Sequence, residues 1–228
     1  MKKGYYIIPA VLVIFCLLTA MTTRVSYRND LMKRIQNYNY QSNDELQNVF
    51  DSKKFHSPDD LIQQADAIIK CQFSGNRQIT DEAFYTPVLV SDVYKGNSEL
   101  KGKTLTIVET INVIENYKIT PNYFLLTTQG FYIPLQKGED YILLIKKLPL
   151  NKARKSGTFL DSQYYPVSES AFGVYRISDI KQTKLINIEK DNIPFSQLSG
   201  FDLFASEQEQ LDTYYQYKQQ IFKAIGIL

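Results

Sequence analysis

The chain has no tryptophan, one histidine and two cysteines among 228 residues. Each shortage removes a class of function. With His56 alone, neither a histidine-rich zinc site nor a hydrolase triad with a second histidine in reserve can be built. His56 itself precedes a helix start and reads as part of a solvated turn. Cys16 lies in an apolar run, so the rest of the chain holds the single thiol of Cys71 and no disulfide within itself. A portion of ~180 residues buries enough core to do without one. Cys71 alternates with apolar neighbours, which marks it as a small core residue.

Charge of one sign is also missing. Lysine plus arginine number 26 against 24 acidic residues, a net charge of +2. That balance gives no electrostatic footprint for nucleic acid. No G-x-S-x-G, H-E-x-x-H or S-x-x-K motif stands in a suitable context. Glu109 and Glu115 would share one face of a regular strand, but six residues place them roughly 20 Å apart, too far for a glycosidase pair. The reading is therefore non-catalytic, with no catalytic, cofactor-binding or metal-binding residue assigned and no cofactor expected.

One stretch mimics a nucleotide site. Residues 96–104 read GNSELKGKT, close to the phosphate loop G-x-x-x-x-G-K-[ST]. Five residues separate Gly96 from Gly102, one too many, and Asn97 stands where the first glycine belongs. A phosphate loop must open a helix. Here Leu105-Thr106-Ile107-Val108 follows, a strand pattern. The stretch is expected to join two strands and to bind no nucleotide.

What is present points to a membrane and a β domain. Tyr5 to Thr23, YYIIPAVLVIFCLLTAMTT, carries no charge, with Lys2 and Lys3 before it and Arg24 after it. At 1.5 Å per residue, about 19 residues reach roughly 28 Å, enough to cross a hydrocarbon core. Phe15 before Cys16 argues against a lipoprotein signal, and Leu18 at position −3 makes cleavage after Ala20 a weak match. An uncleaved signal anchor is preferred to a cleaved peptide. Arg24, Arg28, Lys33 and Arg34 pull the following domain inward by the positive-inside rule. The short basic start before an apolar segment resembles an export signal and points outward. The expected placement is a single-pass cell-membrane protein with its C-terminal domain extracytoplasmic.

The remainder divides into four parts: 1–23 as anchor, 24–56 as a polar juxtamembrane helix or stalk, 57–190 as a β-barrel domain, and 191–228 as a linker and C-terminal helix. Ser57 as N-cap, Pro58 at the first position and Asp59 and Asp60 behind it start a short helix to about 65. Strands are expected at Ala67–Phe73, Phe84–Lys95, Lys103–Glu115, Tyr141–Lys146, Tyr164–Val167 and Phe172–Ile177, with another over Thr183–Ile188. Residues 116–137, with Pro121 and Pro134, suggest a long excursion. Ser206 and Glu209 read as a capping box opening an amphipathic helix, whose apolar face packs on the barrel. The fold class is mainly β (α+β), a small barrel.

The segments ADAIIKCQF, TPVLVSDVYKGN, GKTLTIVE, LQKGEDYILLIKK and AFGVYRI, spanning residues 65–177, follow a recurrent order. It resembles uncharacterised bacterial extracytoplasmic domains that look like five-stranded Greek-key barrels, close to the OB-fold shape of metalloprotease-inhibitor domains. The resemblance implies an OB-like barrel outside the cytoplasm. It transfers no catalytic residue, and the inhibitors' N-terminal cysteine and disulfides are absent here. Two functions are expected. One is a membrane-anchored binding or scaffold module for a protein or cell-envelope ligand. The other is an inhibitor or immunity-type protein that blocks a protease or toxin at the membrane.

Overall fold

The computed structural model describes residues 11–22, 35–42, 57–80, 82–115, 124–128, 132–148, 163–167, 171–179, 181–186 and 193–228. Pro58–Gln64 forms helix α1, as its start signals predict. Ser57 Oγ accepts from the amide of Asp60 at 3.2 Å, and Leu61 on this helix is fully buried. The far end of α1 is tied by a lysine from the barrel. Lys95 Nζ donates to the carbonyls of Ile62, Gln63 and Ala65 at 2.6, 3.0 and 2.7 Å. A cation on the last carbonyls of a helix satisfies orphan acceptors and complements the helix dipole.

The strands in chain order begin with β1 (Asn39–Ser42), β2 (Ala67–Phe73), β3 (Gln78–Ile79), β4 (Phe84–Lys95) and β5 (Thr104–Glu109). They continue with β6 (Ile111–Glu115), β7 (Phe124–Thr128), β8 (Asp140–Lys147), β9 (Gln163–Pro166), β10 (Val174–Arg176) and β11 (Ile193–Pro194). Five of them close a barrel. Each pairs with the next in the order β2-β4-β5-β9-β8, and β8 pairs with β2 to complete the ring. Within the ring, β5 and β9 run parallel and the other pairs antiparallel. Counted along the chain, the closed order is 1-2-3-5-4-1, consistent with the OB-like barrel expected. Two register irregularities in the β2–β4 pairing, at Ile68/Ile69 and Lys70/Cys71, let the long strand bend around the ring. Closure gives every barrel strand a neighbour on both sides. The short strand β3 pairs with the start of β4. After β9, a 3-10 turn at Ala171–Gly173 leads into β10, which takes the same flank of β8 further along.

The loop 96–104 is a strand connection. Ser98–Leu100 is a single 3-10 turn, and Asn97 Oδ1 accepts from the Glu99 amide at 3.0 Å. Thr104 then opens β5 and not a helix. Gly96 has φ +98°, and a Cβ there would lie 2.6 Å from the carbonyl oxygen of Asp66. Glycine is needed for both reasons.

Three expectations need correction. The single strand predicted over 103–115 is broken at Thr110. β5 stays in the barrel, whereas β6 enters a second sheet, ordered β11-β1-β7-β6. The buried alternation Leu105, Ile107, Glu109, Ile111 runs through the break unchanged, which is why the sequence reads as one strand. Second, the capping box of the C-terminal helix α2 (Gln208–Ala224) uses Glu207 and Gln210, not Ser206 and Glu209. Ser206 instead lends its amide to Gln210 Oε1 at 2.9 Å. Third, Thr183–Ile186 is not a strand; Asn187 and Ile188 lie outside the described residues. The excursion at 116–137 includes β7, with 116–123 and 129–131 outside the described residues.

The stretch Tyr38–Ser42, inside the segment 24–56 expected to be a polar juxtamembrane helix or stalk, contains β1. Ile35, Tyr38 and Tyr40 are buried, although 24–34 and 43–56 lie outside the described residues. The polar neighbours of these apolar side chains hid them from pattern reading. They join the same core as Leu198, Leu203 and Phe204 and the buried face of α2, formed by Leu211, Tyr214, Tyr215, Ile221 and Phe222. At the N-terminus residues 11–22 are helical, with Val11, Leu12, Val13, Ile14, Phe15, Leu17, Leu18 and Met21 each more than half exposed. Residues 5–10 and 23 of the expected span lie outside the described residues. Among those described, no helix is long and apolar enough to cross a membrane.

Candidate functional site

A charged cluster is buried where the chain leaves the barrel. Glu109, the last residue of β5, is fully buried. Its register along β5 aims it inward after Leu105 and Ile107. Arg77, just ahead of β3, brings its Nη2 to 3.6 Å from Glu109 Oε1, with only 3% of its side chain exposed. Thr86 on β4 donates its hydroxyl to the same oxygen. Glu109 Oε2 accepts from Tyr132 Oη at 2.6 Å and from the Leu135 amide at 2.8 Å. Arg77 also donates to the Leu135 carbonyl, and its guanidinium lies 4.5 Å from the Phe73 ring centre and 5.3 Å from that of Phe84.

The cluster reaches β1. Tyr40 donates its hydroxyl to the carbonyl of Tyr132. Burial, and next the Glu109 charge, hold the hydroxyls of Tyr40 and Tyr132 protonated well above the usual tyrosine range. Both oxygens of Glu109 are occupied by donors from this chain. A carboxylate so satisfied is a structural anion that fixes the segment 132–135 over the barrel.

A second cluster ties β10 to the C-terminal region. Arg176 Nε and Nη2 reach Asp202 Oδ1 at 2.8 and 2.7 Å, and Nη1 donates to the Ser199 carbonyl at 2.7 Å. Tyr215 on α2 donates to Asp202 Oδ2 at 2.5 Å. Gln182 Oε1 accepts from the amides of Asp202 and Leu203 at 2.7 and 3.1 Å. Burial and then the bond to Asp202 push the Tyr215 hydroxyl up. The depression beside this cluster, lined by Tyr141, Val174, Arg176, Asp202 and Tyr214 among others, has about 10 Å³ of open space, room for one water molecule. It is no site for a small-molecule ligand.

The outer wall of the barrel is different. On β4, Tyr85, Pro87 and Leu89 alternate outward, opposite Val108, Thr106 and Thr104 of β5. Thr106 is buried, Tyr85, Pro87 and Val108 are half-buried, and Leu89 and Thr104 are exposed. Leu89 is 53% exposed. Among the described residues the other exposed large apolar side chains belong to the helix 11–22 and to Leu228.

The residues weighed from sequence are scattered. His56 lies outside the described residues. Glu109 and Glu115 belong to different sheets. Cys71 is buried on β2, and burial followed by the Asp140 charge pushes its thiol up, away from reactivity. Among the described residues no group of three or more His, Cys, Asp or Glu is gathered to hold a metal. Sequence reasoning missed Arg77, Thr86, Tyr132, Arg176 and Asp202. One signal was available for the first cluster: Glu109 occupies an inward position of an apolar alternation. The chain matches no protein-family model and no curated protein.

Proposed function

We propose that the chain is a membrane-anchored, extracytoplasmic binding or scaffold module that engages a protein or cell-envelope ligand through the outer β4–β5 wall and catalyses no reaction. The observation that carries this reading is Leu89. It is exposed on a closed barrel, whereas the charged clusters are spent on internal partners. Leu89 continues an outward row with the half-buried Tyr85 and Pro87 on β4. A contiguous apolar row on a β wall, rather than a lone exposed leucine, is what a macromolecular partner covers. The anchor is the apolar stretch 5–23, whose helical residues 11–22 expose their large side chains as lipid would require. The barrel order is compatible with the OB-like shape of metalloprotease-inhibitor domains. That likeness supports the second reading, an inhibitor or immunity-type protein at the membrane.

Photo-crosslinking in cells tests the binding reading. A crosslinking amino acid at Leu89 should give a discrete adduct that the same group at exposed Glu209 on α2 does not. Equal adducts, or none at Leu89, refute it. Labelling of a Lys101→Cys variant, with Cys16 replaced by alanine, tests placement. A membrane-impermeant maleimide should react on intact cells; reaction only after lysis puts the barrel inside.

A further inference from the structure

We infer that β1 is a clasp: its fold contacts hold the barrel to the N-terminal segment independently of the covalent chain that joins them. β1 lies between β7 and β11 and is the strand that connects them. It pairs in parallel with β7 over Asn39–Ser42 and antiparallel with β11 at Asn39 and Tyr40. Without it, β11 has no strand neighbour among the described residues and β7 keeps only β6. Such a slot is the geometry of strand addition, in which main-chain hydrogen bonds hold a short extended peptide and one side chain fixes its register.

Tyr40 is that side chain. It is fully buried, its ring centre lies 5.2 Å from that of Phe204, and its hydroxyl bonds the Tyr132 carbonyl. Around it, the Tyr38 carbonyl accepts from the Phe195 amide at 2.8 Å, the Gln36 carbonyl accepts from the Ser196 amide at 3.3 Å, and Ile35 is fully buried. The segment 35–42 therefore touches the barrel's buried cluster and the C-terminal region at once. Residues 23–34 separate it from the helix at 11–22, and residues 43–56 separate it from Ser57. A cut in 43–56 would sever the covalent link and leave these contacts whole. The barrel then stays on its anchor, and leaves only when β1 leaves. Loss of β1 also bares the edge of β7 and removes the Tyr40 bond from the loop that holds Glu109.

The clasp rests on the anchor reading only for where the N-terminal piece resides. The test uses the full chain in mild detergent, with a site-specific protease sequence inserted between Asn48 and Val49. After cleavage, shown on a denaturing gel, the two pieces should co-elute on size exclusion. Tyr40→Ala should raise the free barrel piece at least about tenfold, given the size of a buried aromatic contact. Tyr40→Phe, which keeps the ring and loses only the hydroxyl bond, should give a smaller rise and covers the case where the alanine chain does not fold. Pieces that separate at once, or that separate equally in wild type and both variants, overturn the clasp. The same cleavage in isolated membranes separates the two ideas. If the pieces co-elute in detergent yet neither sediments with membranes, the clasp stands and the anchor reading falls.

Discussion

Arg77→Met is the sharpest test of the buried cluster. The substitution keeps an unbranched apolar stem against Phe73 and Phe84 but removes the cation beside Glu109. Glu109 is then left fully buried with Thr86, Tyr132 and the Leu135 amide as its remaining donors, and the Leu135 carbonyl loses a partner. Breaking a buried pair from one side costs about 3–5 kcal/mol, because the remaining charge is uncompensated. For a chain of this size that lowers the melting temperature by on the order of 10 °C. The double variant Arg77→Met, Glu109→Gln removes both charges, while the amide oxygen still accepts from Tyr132 or Leu135. It should recover most of the loss. Urea unfolding of the four proteins in mild detergent, followed by far-ultraviolet circular dichroism, closes the cycle. A single variant within about 1 kcal/mol of wild type, or a coupling energy near zero, refutes the argument that this pair sets the barrel end.

The buried tyrosines predict an alkaline limit. Tyr40, Tyr132, Tyr175 and Tyr214 are all held protonated well above the ordinary range, with burial the leading cause. Above pH ~10 the unfolded chain releases these protons and the folded chain keeps them, so stability is intact below that pH and falls above it. Four such groups together cost about 5 kcal/mol per pH unit, and absorbance at 295 nm should rise cooperatively with loss of ellipticity; independent titration near pH 10 argues against their burial. Gly96→Ala should destabilise by more than about 1 kcal/mol in thermal melts, since its Cβ meets the backbone of Asp66. Gly102→Ala has a positive φ but open space and should cost less. Equal losses would remove the steric argument. Tyr175→Phe should leave stability unchanged or raise it by up to about 1 kcal/mol, because its buried hydroxyl has no hydrogen-bond partner among the described residues. A loss above that size would show that the hydroxyl is bonded. A chain beginning at Ser57 lacks Ile35, Tyr38 and Tyr40 and should melt well below one beginning at Arg24; equal melting temperatures would mean that β1 contributes nothing.

Local rules were sufficient wherever the information was local. Ser57, Pro58 and the aspartates cap α1 as such residues do anywhere, because a helix end must satisfy its own amides. Strands β2, β4 and β8 announce themselves by their apolar runs and alternation, and the interrupted phosphate loop by its count of residues. The apolar run at 5–23 is equally plain as composition. What the sequence left dark are features whose partners lie far along the chain. Nothing near Arg77 marks it as the partner of Glu109, and nothing near Tyr40 shows that it reaches Tyr132. The break at Thr110 is invisible because the same inward register serves two different sheets. β1, four residues in a polar context, becomes a strand only because β7 and β11 present edges on either side of it. Hydrogen-bond edges and buried charges are completed by residues that meet only in three dimensions, so the tertiary structure alone decides them.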